Sequence, residues 1–269
     1  MLVALESGRR MEASVAEKGP AYICPKCSTE VILKKGRVIT HHFAHKPPTD
    51  CTWASGETTA HMKAKTALCE ALRQQGLKAE LEVEILSSGG DRRADVVLWS
   101  KDGKSRVAFE IQHQPLSFDG IEQRTRGYIA AGVPVLWIGL LGTKTFEDAE
   151  TKGANLVIQR YSPRQWEKWA HAFAFKTIWY MDDDGKFWRG VFSSHQIEVP
   201  YSSWYNSDGS QESAGGYTRF SKRWRILTLT GPYQINTLTI GLKGRDSWTS
   251  KEFKLPKSKV VTLEPNAAP

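Results

Sequence analysis

The sequence predicts an α/β core, preceded by a small Cys/His-rich module and followed by a β-rich, tryptophan-rich region. Three observations carry this. After residue 57 an Ala/Leu stripe at helical spacing gives way to apolar runs broken by Gly and Asp-Gly, then to a second helical stretch and a continuous apolar strand. Three of the four cysteines, Cys24, Cys27 and Cys51, fall among histidines before residue 54. Seven of the ten tryptophans (166, 169, 179, 188, 204, 224, 248) lie beyond residue 160, where DDDG, NSDGS and AGG interrupt short strand-like pieces.

In chain order, MLVALE and RMEASV are strands joined at Ser7-Gly8, a hairpin signal. YICPKC and VILKKGRVIT are the next strands, with a turn at Lys35-Gly36, and HHFAHKPPTDC is a ligand-rich loop. From Glu57, the residues Ala60, Ala64, Ala67, Leu68, Ala71 and Leu72 form one face of a helix that Gln75-Gly76 ends. Cys69, inside that helix, reads as a core residue. Strands follow at 80–86, 94–99 and 106–112, then a helix over 119–131 ending at Gly132. VPVLWIGLL is apolar throughout, as buried parallel strands are. Helix, three strands, helix, strand is an α/β order. RQWEKWAHAFAF is a short amphipathic helix, and EPNAAP a frayed end. The expected domains are 1–54, 55–160 and 161–269.

With 40% hydrophobic and 25% charged residues, the 269-residue chain has the composition of a folded globular protein. It contains no run of about 18 apolar residues that would span a membrane. The start has no long apolar core behind a basic segment, so no secretory signal is read there. A cytoplasmic protein is expected, with cysteines kept reduced. The net charge of +8 suits an anionic partner such as nucleic acid, although many basic proteins bind none.

Cys24-Pro-Lys-Cys27 is the C-x2-C knuckle that commonly forms the first half of a zinc site. The other ligands would come from His41, His42, His45 and Cys51. Zinc takes four tetrahedral thiolate or imidazole ligands, and Cys24, Cys27, His45 and Cys51 are the favoured set, with His42 the alternative histidine. Such a closed Zn²⁺ site is structural. The competing reading is a chance C-x2-C beside solvated histidines.

Asp95 opens the run DVVLW, and Glu110 lies near the end of the following strand. If the two strands pair antiparallel, the carboxylates converge. They would repel unless a hard cation, Mg²⁺ or Mn²⁺, sat between them. Such an ion binds a scissile phosphate and activates water. Gln112, two residues beyond Glu110, shares its face of the strand, while Phe109 and Ile111 turn the other way. Glu57, His61 and Lys65 are four apart and line one edge of their helix, where they can complete the site. Each also has a plainer reading. Glu57 is a helix-dipole acid, His61 a packed histidine and Lys65 a solvated lysine. Asp95 is a strand cap, and Glu110 sits on a half-exposed surface.

The order CP-x-C, HHFAH, C, E-x3-H-x3-K, RRADV, FEIQ, R-x3-Y and GVPVLWI, over roughly residues 1–140, resembles the competence protein CoiA family, itself similar to the PD-(D/E)xK nuclease superfamily. The resemblance implies a restriction-endonuclease-like core, a mixed sheet flanked by helices, behind a metal-binding module. It also implies hydrolysis of DNA phosphodiesters with a divalent metal. It matches Asp95 to the superfamily's Asp, Glu110 to its second acid, and Glu57 to an acid of the first core helix. Gln112 takes the place usually held by Lys, and Arg124 and Tyr128 match the R-x3-Y of the second core helix. Gln cannot bring the positive charge of Lys, though relatives with Gln still cut. Lys65 or His61 would supply the charge or a proton relay.

Arg124 and Arg126, with Tyr128, would grip a phosphate, or lie on a solvated helix face. Lys222, Arg223 and Arg225, interleaved with Trp224, are the best DNA contacts of the C-terminal region, where most tryptophans read as core. The sequence therefore predicts a Mg²⁺- or Mn²⁺-dependent deoxyribonuclease, an endonuclease rather than an exonuclease. The competing classes are a catalytically degenerate DNA-binding accessory protein and an adaptor in recombination or defence. Strand form, oligomeric state and pathway (DNA uptake, recombination or defence) are left open.

Overall fold

The computed structural model describes residues 1–54 and 57–266. The first part is an antiparallel sheet of β1 (Val3–Glu6), β2 (Arg9–Glu12), β3 (Tyr22–Ile23), β4 (Glu30–Lys34) and β5 (His42–His45), ordered β2-β1-β3-β4-β5. The Ser7-Gly8 turn joins β1 to β2, with φ of 49° and 78°. One expectation is corrected here: within HHFAH, His42–His45 is a strand, not a loop. Its register on β4 sets Phe43 across from Leu33 and His45 across from Val31. Val31, Leu33 and Phe43 are buried. Period-2 alternation therefore turns His45 inward with Phe43 and His42 outward. Apolar pairing outweighs the loop-like composition that follows at Lys46.

α1 (Thr59–Gln74) begins after the N-cap Thr58, whose hydroxyl accepts from His61 N, so Glu57 stands just before the helix. Met62, Leu68, Cys69 and Leu72 are buried along it. β6 (Ala79–Ile85), β7 (Arg92–Trp99) and β8 (Arg106–Gln112) form an antiparallel meander. α2 (Phe118–Ala130) then carries the chain to β9 (Val135–Leu141), parallel to β8. After the short α3 (Thr143–Glu147) come β10 (Glu150–Lys152), β11 (Asn155–Tyr161), α4 (Gln165–Phe173) and β12 (Ile178–Asp182), the last parallel to β9. The remainder is β13 (Phe187–Val199), β14 (Ser202–Tyr205), β15 (Gln211–Ala214), β16 (Tyr217–Tyr233), β17 (Leu238–Arg245), β18 (Trp248–Thr249), β19 (Lys254–Leu255) and β20 (Ser258–Pro265).

Nine strands share one mixed sheet, in the order β10-β11-β16-β13-β12-β9-β8-β7-β6. The boundary expected at 160/161 falls inside it, because β12, β13 and β16 hydrogen-bond into the same ladder as β9 and β11. On one face, Phe109, Ile111, Ile138 and Trp179 pack with Leu68 and Leu72 of α1. On the other, Ala108, Trp137 and Tyr180 pack with Tyr128 of α2 and Trp166 and Trp169 of α4. Gly139 in the apolar strand is explained here: a Cβ would stand 2.4 Å from the Tyr180 ring.

Beyond residue 185, β14, β15, β18 and β19 are short as expected, but two strands are longer. β13 has 13 residues and β16 has 17. NSDGS joins β14 to β15 and AGG separates β15 from β16, so both breaks fall in the outer part of one long β13–β16 hairpin. Trp166, Trp169, Trp179 and Trp188 are core, while Trp204 and Trp248 are exposed. Among the described residues no helix is long and apolar enough to cross a membrane.

Candidate active site

The N-terminal module gathers one ligand atom each from Cys24, Cys27, His45 and Cys51, all within 4.8 Å of one another. Cys24 Sγ lies 3.9 Å from Cys51 Sγ, and Cys27 Sγ lies 3.3 Å from His45 Nε2. Three thiols and one imidazole at this spacing can hold zinc, with no place left for substrate. Hydrogen bonding to Thr29 pulls the Cys27 thiol down to about 6, while burial pushes Cys24 up to about 11. His42 stands apart, its Nδ1 2.9 Å from Thr40 O, and His41 Nε2 is 3.2 Å from Gly36 O.

The module is fastened to the β6–β7 hairpin. Lys26, inside the cysteine knuckle, pairs with Glu84 at 2.8 Å and Asp91 at 3.6 Å. Arg93 lies over the Trp53 ring, 4.9 Å from its centre. The backbone N–H groups of Leu2 and Val3 donate to Glu82 at 2.7 and 3.2 Å.

That hairpin carries the acids. The β6–β7 register pairs Leu81 with Val96 and Val83 with Ala94, which sets Glu82 across from Asp95. The β7–β8 register pairs Val96 with Phe109; one step on, Asp95 stands across from Glu110. Three carboxylates thus occupy one rung of three neighbouring strands, and all three are buried. Like charges so placed repel. The helices supply the opposing charge. Lys65 of α1 is fully buried, in contact with Glu57, 2.6 Å from Glu82 and 3.7 Å from Asp95. Arg124 of α2 donates to Glu110 at 2.6 Å, and the Tyr128 hydroxyl donates to the other Glu110 oxygen.

His61 bridges Glu57 and Asp95, with Nδ1 3.0 Å from the first and Nε2 3.1 Å from the second. Burial opposes its charge, but the Asp95 carboxylate and both hydrogen bonds raise it to about 9. Asp95 also accepts the Ile111 N–H at 2.8 Å. Burial pushes Asp95 up, yet His61 and Lys65 hold it below the usual carboxylate range. For Glu57, too, burial is outweighed by the His61 hydrogen bond and the Lys65 charge, so it stays ionised. Glu110 goes the other way: burial raises it, and Arg124 offsets only part of the rise.

Glu57, His61 and Asp95 each present one ligand atom, all within 4.8 Å of one another. Both Glu57 oxygens are buried, facing His61, Lys65 and the Met1 amino group. Two carboxylates and an imidazole suit a hard or borderline divalent cation.

Several expectations are therefore revised. Lys65 is no solvated lysine; it lies inside the acid cluster. Glu110 stands across from Asp95 as expected, but its oxygens are engaged by Arg124 and Tyr128, and among the described residues the metal-capable group is Glu57, His61 and Asp95. Gln112 shares the Glu110 face as expected, but its amide donates to Gln114 O at 2.8 Å and accepts from Arg124 at 3.3 Å. Arg124 is bound to Glu110, and Tyr128 is fully buried. Arg126 pairs with Glu122 at 2.8 Å on the helix surface. Lys222, Arg223 and Arg225 lie on β16, four strands from β8 in the sheet order.

Two residues of the cluster escaped the sequence reading. Glu82 looked like one of three alternating acids in AELEVEI, but its φ of 50° turns it inward to Lys65. His113 follows Gln112 directly. Its Nε2 lies 3.1 Å from the Thr58 hydroxyl, and its ring centre is 5.2 Å from that of His61. Burial, with the His61 and Arg164 charges, lowers it and keeps it neutral.

Residues 57–184 match the model described as "Competence protein CoiA, nuclease-like domain", and residues 5–54 match "Competence protein CoiA, N-terminal domain". A protein of Bacillus subtilis (strain 168), named competence protein CoiA, is 30% identical over 118 residues. That alignment covers 44% of this chain and 31% of the relative, so the match spans about a third of the relative's length. No solved structure matches the chain. The two domain matches follow one another in the order of the metal module and the acid-bearing sheet, and the chain belongs to the competence protein CoiA-like family.

Proposed function

We infer that this chain is a metal-dependent DNA nuclease with a restriction-endonuclease-like core, acting in DNA processing linked to competence. One observation carries the reading: Glu57, His61, Lys65 and Asp95, drawn from a helix start and a separate strand, meet in one buried cluster inside the nuclease-like domain. Glu57, His61 and Asp95 would hold the cation, Mn²⁺ or Mg²⁺, with His61 giving up a proton to do so. When bound, it neutralises phosphate charge and lowers the pKa of an attacking water. Lys65 places a permanent positive charge beside Asp95, the charge that Gln112 cannot bring. Glu82 and the Glu57 carboxylate orient that ammonium. His113, neutral and half-buried at the edge of the cluster, takes a proton from the water. Glu110 and Gln112, tied to Arg124, brace the rung behind Asp95.

A second reading is favoured by Gln112 itself, whose amide is turned to Gln114 O and away from the acids. In that reading the chain binds DNA as an accessory protein and does not cut it. Incubation with circular single-stranded and supercoiled double-stranded DNA, in Mn²⁺, Mg²⁺ or EDTA, separates the two. Cleavage in metal and not in EDTA, lost in Asp95→Asn, supports the nuclease. DNA binding without cleavage of circles or linear ends supports the accessory protein.

A further inference from the structure

The long hairpin of β13 and β16 leaves the sheet. Ser194 pairs with Arg225, but the next pair is Gln196 with Phe220, so residues 221–224 stand out of the ladder. This knuckle is well defined. Trp224 N donates to the Ser221 hydroxyl at 2.8 Å, and Arg225 donates to the carbonyls of Ser221 and Trp224, each at 2.9 Å. Arg223 lies over the Trp224 ring, 4.5 Å from its centre. Beyond the knuckle, Gln196–Val199 and Tyr217–Phe220 pair only with each other among the described residues. Gly215 and Gly216, with φ of 89° and 74°, then turn the ribbon into β14–β15; a Cβ on Gly215 would meet Pro200 O at 1.9 Å.

This arm buries almost nothing. Every residue of β14 and β15 is exposed, and Tyr201, Trp204, Tyr205, Tyr217 and Phe220 are 43% to 72% exposed. A two-stranded ribbon with both faces in water has little stability of its own, and clustered exposed aromatics mark a partner's surface. Charge says which partner. Directly paired residues share a face, so Tyr217 and Arg219 lie with Val199 and Ile197, while Glu198 lies behind with Thr218. Phe220 shares the other face with Gln196 and Glu198, and on β14–β15 Trp204 stands opposite Glu212; Lys222 and Arg223 follow in the knuckle, outside the ladder. Among the described residues Arg219, Lys222, Arg223 and Arg225 make no ion pair with a carboxylate.

The geometry points to the arm, residues 196–225, as a binding site for single-stranded nucleic acid. Its rings stack on unpaired bases and its arginines and lysine track the phosphates. A duplex hides its base faces, so ring stacking selects the single strand. The inference rests on the reading of DNA as this chain's partner and says nothing of where the strand is cut.

The test uses the full chain in EDTA, with fluorescence anisotropy of a labelled oligothymidylate of about 20 nucleotides and a duplex of equal length. Two variants are compared with wild type: Tyr201→Ala/Trp204→Ala/Tyr205→Ala/Tyr217→Ala, and Arg219→Gln/Lys222→Gln/Arg223→Gln. The aromatic variant should lose at least about tenfold in single-strand affinity with its salt dependence kept. The basic variant should lose affinity and flatten the salt dependence. Substitutions on so exposed an arm leave the melting temperature unchanged. Equal single-strand binding by wild type and aromatic variant would overturn the arm as the site and leave DNA as partner. Self-association that the aromatic variant abolishes, with no nucleic-acid binding, would overturn it in favour of a second copy. The cleavage assay with circular DNA judges the nuclease reading separately.

Discussion

Lys65 decides how the acid cluster exists at all. Its ammonium is fully buried among Glu57, Glu82 and Asp95, and removing it leaves those charges facing one another in a dry interior. Lys65→Met should cost about 3–5 kcal/mol, the loss typical of a buried ion pair deprived of one partner. Lys63→Met, two residues away and exposed, should change stability by less than about 0.5 kcal/mol. Urea midpoints of the two variants check this; equal small effects would mean that the cluster does not depend on Lys65. The four-residue spacing of Glu57, His61 and Lys65 made this edge of the helix legible in the sequence. Glu82 was not legible, because its inward turn depends on one left-handed backbone angle that AELEVEI does not announce. The Asp95–Glu110 pairing was half legible. Strand register sets them opposite each other, but Arg124 and Tyr128, from a helix later in the chain, decide where Glu110 points.

At the scale of elements, the zinc-capable module and the acid-bearing hairpin act on each other. Lys26 sits between two cysteines of the cluster and pairs with Glu84 and Asp91, and Arg93, two residues from Asp95, rests on Trp53. Loss of the cation should loosen the module and, through those contacts, the rung. Cys51→Ser should release bound zinc, measured by elemental analysis, and lower the melting temperature by at least about 10 °C, a few kcal/mol for a chain of this size. A variant that keeps both its zinc and its melting temperature would remove Cys51 from the site. The choice of His45 over His42 follows from β5, whose alternation faces one inward and the other out. The sequence disguised that strand, because the histidines and the Lys-Pro-Pro after them have loop composition. The hairpin of β13 and β16 was disguised in the opposite way: turn signals at its kink and tip looked like ends of separate strands.

For the whole molecule, the fold class followed from patterning, since helix, three strands, helix and apolar strand leave few arrangements other than a mixed sheet with helices on its faces. The continuity of that sheet past residue 160 did not, because a change in composition there does not interrupt the hydrogen-bond ladder. The C-terminal half is locked on through α4, where His171 accepts the Phe192 N–H at 3.2 Å and must stay neutral to do so. Burial and the Lys176 charge lower its pKa from 6.5 to about 4. A group lowered in the folded state contributes stability above its unfolded pKa and loses it as pH falls. Stability should therefore decline between pH 6.5 and about 4, by roughly 2–3 kcal/mol from this group, and less steeply in His171→Gln. Parallel denaturation curves across that window test the point, and identical slopes for the two proteins would contradict it.

Whether the Glu57–His61–Asp95 cluster, with Lys65, hydrolyses DNA is the central question. The most direct measurement is the single-turnover rate of cleavage of circular DNA in Mn²⁺ by wild type, Glu57→Gln, Asp95→Asn and Arg126→Ala, each first shown to be folded. Wild type and Arg126→Ala should cut in metal, and Glu57→Gln and Asp95→Asn should lose at least about a hundredfold in rate. Cutting that survives both acid substitutions, or DNA bound by the wild type and cut in no metal, would contradict hydrolysis by this cluster.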